Sequence, residues 1–199
     1  MAYASKLVHN TNNYNSVTGV AQTGIFVNNN KKPYYFGLEE WNNQKTLKQK
    51  KVAYIDSYRA FNRIGIAERI ALFSFNPINT NVYHCGNLYG VRQLENKEIP
   101  ELREYLNQNN WLNIVGDSFN EIGDVRPINE HTEYMRCWNS NNIVASTGKG
   151  FILNISYKKL ELFEPENWVN LTHIIPEVNV RWHYLRQRYT LPIEWEQFF

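Results

Sequence analysis

Arg63-Ile-Gly-Ile-Ala-Glu-Arg-Ile-Ala-Leu-Phe-Ser-Phe75, then Asn76-Pro-Ile-Asn-Thr-Asn81, then Val82-Tyr-His-Cys-Gly-Asn-Leu-Tyr-Gly-Val-Arg-Gln-Leu94 is the stretch that decides the fold. Two apolar, aromatic-rich runs flank one polar turn cluster, which predicts a β-hairpin with strands at 69–76 and 82–94. Gly86 and Gly90 sit inside the second strand. A glycine there marks a bulge, a bend, or the close approach of a ligand or another backbone.

Outward from the hairpin, the chain reads as strands, then helices, then strands again. Short strands are expected at 24–28, 33–37 and 52–58. The first 23 residues are polar and read as irregular at least in part, and the lysine-rich run Lys45-Thr-Leu-Lys-Gln-Lys-Lys51 reads as an exposed loop. Ile99, Leu102, Tyr105 and Leu106 recur at helical spacing. Trp111–Phe119 suggests a second helix, and Pro127 opens a third. Strands resume at 142–145, 150–157 and 159–163. A last helix is expected over about 176–189, with Val178, Trp182, Leu185 and Tyr189 on one stripe. The pattern predicts one α+β domain over residues 1–199: a curved, partly closed, barrel-like sheet with flanking helices. Its core spans about 24–163, with a helical insert at about 98–140.

Composition narrows the function. The chain has 199 residues, enough for a substantial core, and a net charge of +2. That charge permits a polyanionic partner without requiring one. Two cysteines, Cys85 and Cys137, outside any Cys-x-x-Cys pair, do not make a secreted disulfide scaffold. The start lacks the apolar core of a signal peptide, and no apolar run is long enough to span a bilayer. A cytoplasmic protein without membrane association is expected. The five histidines have no metal-ligand spacing, and Thr147-Gly-Lys-Gly150 is too short for a phosphate-cradling loop. No metal or cofactor is expected.

The runs Ile64–Phe75, Val82–Val91 and Gly150–Leu160 together resemble the PUA-like superfamily, which includes the EVE, YTH, ASCH and SRA domains. The resemblance covers about half the chain and is one of pattern. It implies a DNA-binding module that flips a modified base into an aromatic pocket. Such a module would be the sensor part of a modification-dependent restriction or defence system, joined to a nuclease domain or subunit. Modified double-stranded DNA is the favoured partner. The departures are Arg63-Ile-Gly-Ile-Ala-Glu in place of a Lys-x-Gly-Asp start, the long helical insert, and the lack of a clean Gly-Val-Trp motif. A non-catalytic role is favoured; the alternatives are an ASCH-like ribonuclease or small nuclease, using His84, Asp117 or His131, and a protein-interaction domain.

Trp138-Asn139-Ser140-Asn141-Asn142 offers an indole followed by small polar groups. It is either a base-stacking and edge-reading element or a buried tryptophan closing a helix before a loop. Trp41-Asn42-Asn43 has the same two readings. Tyr83 and Tyr89 are the next wall candidates. They share one strand face unless a bulge near Gly86 breaks the parity. For the nucleic-acid backbone the candidates are Lys48, Lys50 and Lys51 in the lysine run, Arg59 and Arg63 before the hairpin, and Arg181, Arg186 and Arg188 on the last helix.

Overall fold

The computed structural model describes residues 3–7, 9–18, 38–55, 66–76, 78–145, 148–172 and 188–190. The hairpin is its centre. Strand β3 (Ile66–Phe75) pairs antiparallel with β4 (Val82–Gln93). The turn is built by its asparagines. Asn76 Oδ1 accepts the amides of Ile78 and Asn79, Asn79 Oδ1 accepts that of Asn81, and Asn76 N–H donates to the Asn81 carbonyl.

A bulge interrupts the pairing. Leu72 lies opposite Gly86, but Phe73 lies opposite His84, so Cys85 is the extra residue. Cys85 is fully buried, and burial pushes its thiol up to about 12. Gly86 answers the second expectation for a strand glycine as well: a Cβ there would lie 2.2 Å from the Glu161 carbonyl oxygen. Gly90 takes a positive φ of 57° beneath the Lys158 side chain.

β4 organises the rest of the sheet. Three short strands pair along it in turn: β9 (Val169–Asn170) at Tyr83–His84, β8 (Lys159–Leu162) at Gly86–Tyr89, and β7 (Ile155–Ser156) at Arg92–Gln93. β2 (Val52–Ala53) pairs with β7. On the other side, β1 (Tyr3–Leu7) runs parallel to β3 and antiparallel to β10 (Arg188–Thr190). The sheet is therefore mainly antiparallel, and among the described residues its outer strands β2 and β10 do not pair with each other. β5 (Val144–Ala145) and β6 (Gly148–Lys149) form a separate small hairpin.

The helices follow their apolar stripes. α2 (Ile99–Gln108) buries Ile99, Leu102 and Leu106; α3 (Trp111–Glu121) buries Trp111, Val115 and Phe119; α4 (Thr132–Trp138) buries Tyr134, Cys137 and Trp138. Pro100 sits in the first turn of α2, where its missing N–H is harmless. These faces close on Trp41, Leu47 and Phe151 in one core, while Leu7, Tyr14, Ile70, Leu72 and Leu88 belong to a second. The overall class is α+β, as expected.

Some expectations differ. Of the strands expected at 52–58 and 150–157, only Val52–Ala53 and Ile155–Ser156 are strand among the described residues. Lys45–Lys50 is a helix, α1, because Thr46 and Leu47 give it a buried face. Within the segment expected to be irregular at least in part, residues 3–7 are an inner strand of the sheet, and residues 9–18 carry no helix or strand. Residues 188–190 are strand, so the last helix does not reach Tyr189; the remainder of that helix, and the strands at 24–28 and 33–37, lie outside the described residues.

Candidate functional site

α1 carries an open polar site. Its buried positions turn Lys45, Lys48 and Gln49, spaced i, i+3 and i+4, onto the opposite, exposed face. These three side chains line a groove of about 530 Å³ with Asn15, Asn43 and Gln44. The loop bearing Asn15 is fixed from below. Asn10 Oδ1 accepts the amides of Asn12 and Tyr14, and Asn10 Nδ2 donates to Glu40 Oε1, which also accepts from Thr18. Asn43 N–H then donates to the Tyr14 carbonyl at 2.8 Å, joining the loop to the start of α1.

Among the described residues no carboxylate lines the groove. Among the described residues Lys45 and Lys48 make no ion pair. Lys50 differs: its ammonium lies 2.6 Å from Glu101 and over the Tyr105 ring. Lys51 is exposed, at the left-handed residue that ends α1. Of the lysines expected to meet a nucleic-acid backbone, Lys48 is therefore in the groove, while Lys50 is occupied elsewhere. Arg59, Arg63, Arg181 and Arg186 lie outside the described residues, and Arg188 falls in β10 opposite Ser5.

The aromatic pocket is not assembled from the expected residues. Trp41 is 1% exposed; its Nε1 donates to Ser118 Oγ at 3.1 Å, and its ring meets Phe119 and Tyr134 edge-on. Trp138 is 5% exposed and packs on Phe151. The polar run after it is a structural clasp. The Arg103 guanidinium donates to the carbonyls of Trp138 and Ser140 and to Asn141 Oδ1, and it lies over Phe151. Ser140 Oγ bonds the backbone of Asn142, and Asn139 is exposed beyond the end of α4. Burial of the indoles inside a hydrophobic helical core is the physical reason both tryptophans differ from the pocket reading.

The bulge at Cys85 also separates the tyrosines. Tyr83 faces Trp168, and its hydroxyl accepts from Asn79 and Asn81. Tyr89 lies on the other face with Arg69, Asn87, Lys159 and Glu161. Its hydroxyl donates to Glu161 Oε2 at 2.9 Å, and the Arg69 and Lys159 cations lie 5.9 and 5.5 Å from its ring centre. Asn87 Oδ1 accepts from Arg69 and meets His84 Nε2 at 3.3 Å, tying the same face inward.

The titratable candidates for catalysis are dispersed. His84 is buried in the sheet, and Asp117 is exposed on α3. His131 is buried at the start of α4, stacked on Phe119 with ring centres 4.1 Å apart. Among the described residues its Nε2 has no hydrogen-bond partner, and it lies 3.9 Å from Asp124 Oδ1. The Arg126 guanidinium grips Asp124 and holds that carboxyl below its usual range. Burial lowers the pKa of His131, and also of His9 and His84. Unfolded imidazoles take up a proton at about pH 6.5 that the folded ones resist, so stability falls as the pH drops through that value. Thermal unfolding from about pH 7.5 to about pH 5 is expected to show a falling Tm. His131→Phe, which keeps the stack on Phe119, flattens part of the fall; an unchanged profile would assign the acid sensitivity to other groups.

Sequence reasoning named Asn43, beside Trp41, as an edge-reading candidate, but missed the other amides of the groove, Asn15, Gln44 and Gln49. Lys45, Lys48 and Gln49 do show helical spacing, but lysine density masked it, and nothing local links Asn15 to them. Among the described residues no helix is long and apolar enough to cross a membrane, and no cluster of three or more metal-ligating side chains occurs. No protein-family profile, no curated protein and no solved structure matches this chain.

Proposed function

We propose that this protein is a nucleic-acid-binding module whose backbone contact is the groove beside α1. The observation that carries the reading is the pair Lys45 and Lys48. Two like charges one turn apart repel on a helix surface, and among the described residues no acidic group lining the groove offsets them. A phosphate backbone supplies the missing counter-charge. The PUA-like pattern of the sequence extends the proposal to a partly closed, barrel-like sheet and to a modified base as the ligand, in the sensor part of a restriction system. Trp41 and Trp138 have no part in it.

Fluorescence polarisation against short duplexes carrying cytosine, 5-methylcytosine, 5-hydroxymethylcytosine, adenine or N6-methyladenine, at two salt concentrations, tests both levels. The Lys45→Glu, Lys48→Glu double variant is expected to lose on the order of tenfold in affinity or more and to lower the salt slope by about two. Wild-type affinity in that variant would remove the groove from the proposal. Preference for one modified duplex supports base reading, and equal affinity for all of them eliminates it.

A further inference from the structure

The groove carries an inference that rests on the nucleic-acid reading and goes beyond it: we infer that it receives one unpaired nucleotide, with the ammonium groups on its phosphates and the amides on its base edge. A phosphate offers only acceptors, so ammonium groups alone suffice to hold it. Of the six described residues that line the groove, four are instead amides, Asn15, Asn43, Gln44 and Gln49. Each amide presents both donors and an acceptor, the mixture that a base edge presents in return.

Two of these amides are positioned by the fold. Gln44 Nε2 donates to the Asn15 carbonyl, and Asn15 Nδ2 donates to the Asn12 carbonyl, which leaves Gln44 Oε1 and Asn15 Oδ1 as acceptors. The Asn43 and Gln49 side chains make no hydrogen bond among the described residues. The volume, about 530 Å³, falls within the range of roughly 300–1,000 Å³ typical of small-ligand sites. One nucleotide fits that scale, whereas a paired base keeps its edge against its partner. Among the described residues no aromatic side chain lines the groove, and the amides that do line it offer hydrogen bonds.

Fluorescence anisotropy with three labelled probes of one length tests this: a mixed-sequence single strand, its perfect duplex, and an abasic single strand with the same phosphates. The single strand is expected to bind about tenfold or more tightly than the duplex, because a paired base must first be unstacked and unpaired. The abasic strand is expected to lose about tenfold. Gln49→Ala, at an exposed position that folding tolerates, and Asn43→Ala lower affinity for the single strand several-fold and leave the abasic strand unchanged. Lys48→Ala weakens all three probes. Equal binding of the three probes, or an equal loss in Gln49→Ala with and without bases, overturns the inference and leaves the nucleic-acid reading standing. Failure of every probe to bind overturns both.

Discussion

Trp41→Ala is expected to lower stability by about 3–5 kcal/mol, the range for emptying a large aromatic site in a packed core. The indole is among the largest fully buried side chains of the chain. It joins the helical turn at Leu38–Trp41 to α3 through Ser118 and Phe119, and to α4 through Tyr134. Truncation removes that volume and leaves Ser118 with one partner fewer, although its hydroxyl still donates to the Val115 carbonyl. Domains of this size are stable by only about 5–15 kcal/mol, so the loss is a large share of the total. Urea unfolding of the variant measures it. Unaltered stability combined with lost preference for a modified duplex would return Trp41 to a ligand pocket and remove it from the core.

Gly86→Ala and Gly116→Ala are expected to act in opposite directions. At Gly86 the new Cβ would stand 2.2 Å from the Glu161 carbonyl oxygen and 3.1 Å from Leu162 Cα, both backbone atoms that no rotamer change can move. β8 must separate from β4, or the bulge must unwind, at a cost of about 3 kcal/mol or more. At Gly116, inside α3, the nearest atom is Ile128 Cβ at 3.7 Å, an ordinary contact. Alanine there gains about 0.5–1 kcal/mol of helix propensity. Parallel thermal melts give the comparison. A Tm for Gly86→Ala within a degree or two of wild type would mean that β8 does not press on β4 as described.

The hairpin was readable because its signals are local: β-branched and aromatic runs on either side of an asparagine-built turn. α2 and α3 were readable because three apolar residues per helix recur at the right spacing. The bulge was half readable, since Gly86 marked the place but not which residue would be extra. The site was read less well, for reasons of three-dimensional context. Trp41 and Trp138 stand next to asparagines in sequence, and only packing decides that their rings point into the core. The groove joins Asn15 to a helix in a later segment of the chain, and the joint depends on Asn10 and Glu40, whose roles no spacing announces. β1 escaped notice because five residues beside a polar run carry little periodicity, and its partner strands β3 and β10 lie far along the chain.

The dependence of β4 on late strands has a consequence for how the chain folds. The hairpin can close early from neighbouring residues, but β9, β8 and β7 reach β4 only after the whole helical region has been made, and β1 must wait for residues 66–75 to lie beside it. Such non-local pairing slows folding. During synthesis, the flank of β4 that will hold these three strands stands bare, a long row of unsatisfied amides and carbonyls of the kind that recruits foreign strands. The helices between 99 and 138 can form on their own spacing and pack on Trp41 and Leu47, already synthesised, but their core is complete only once Phe151 arrives.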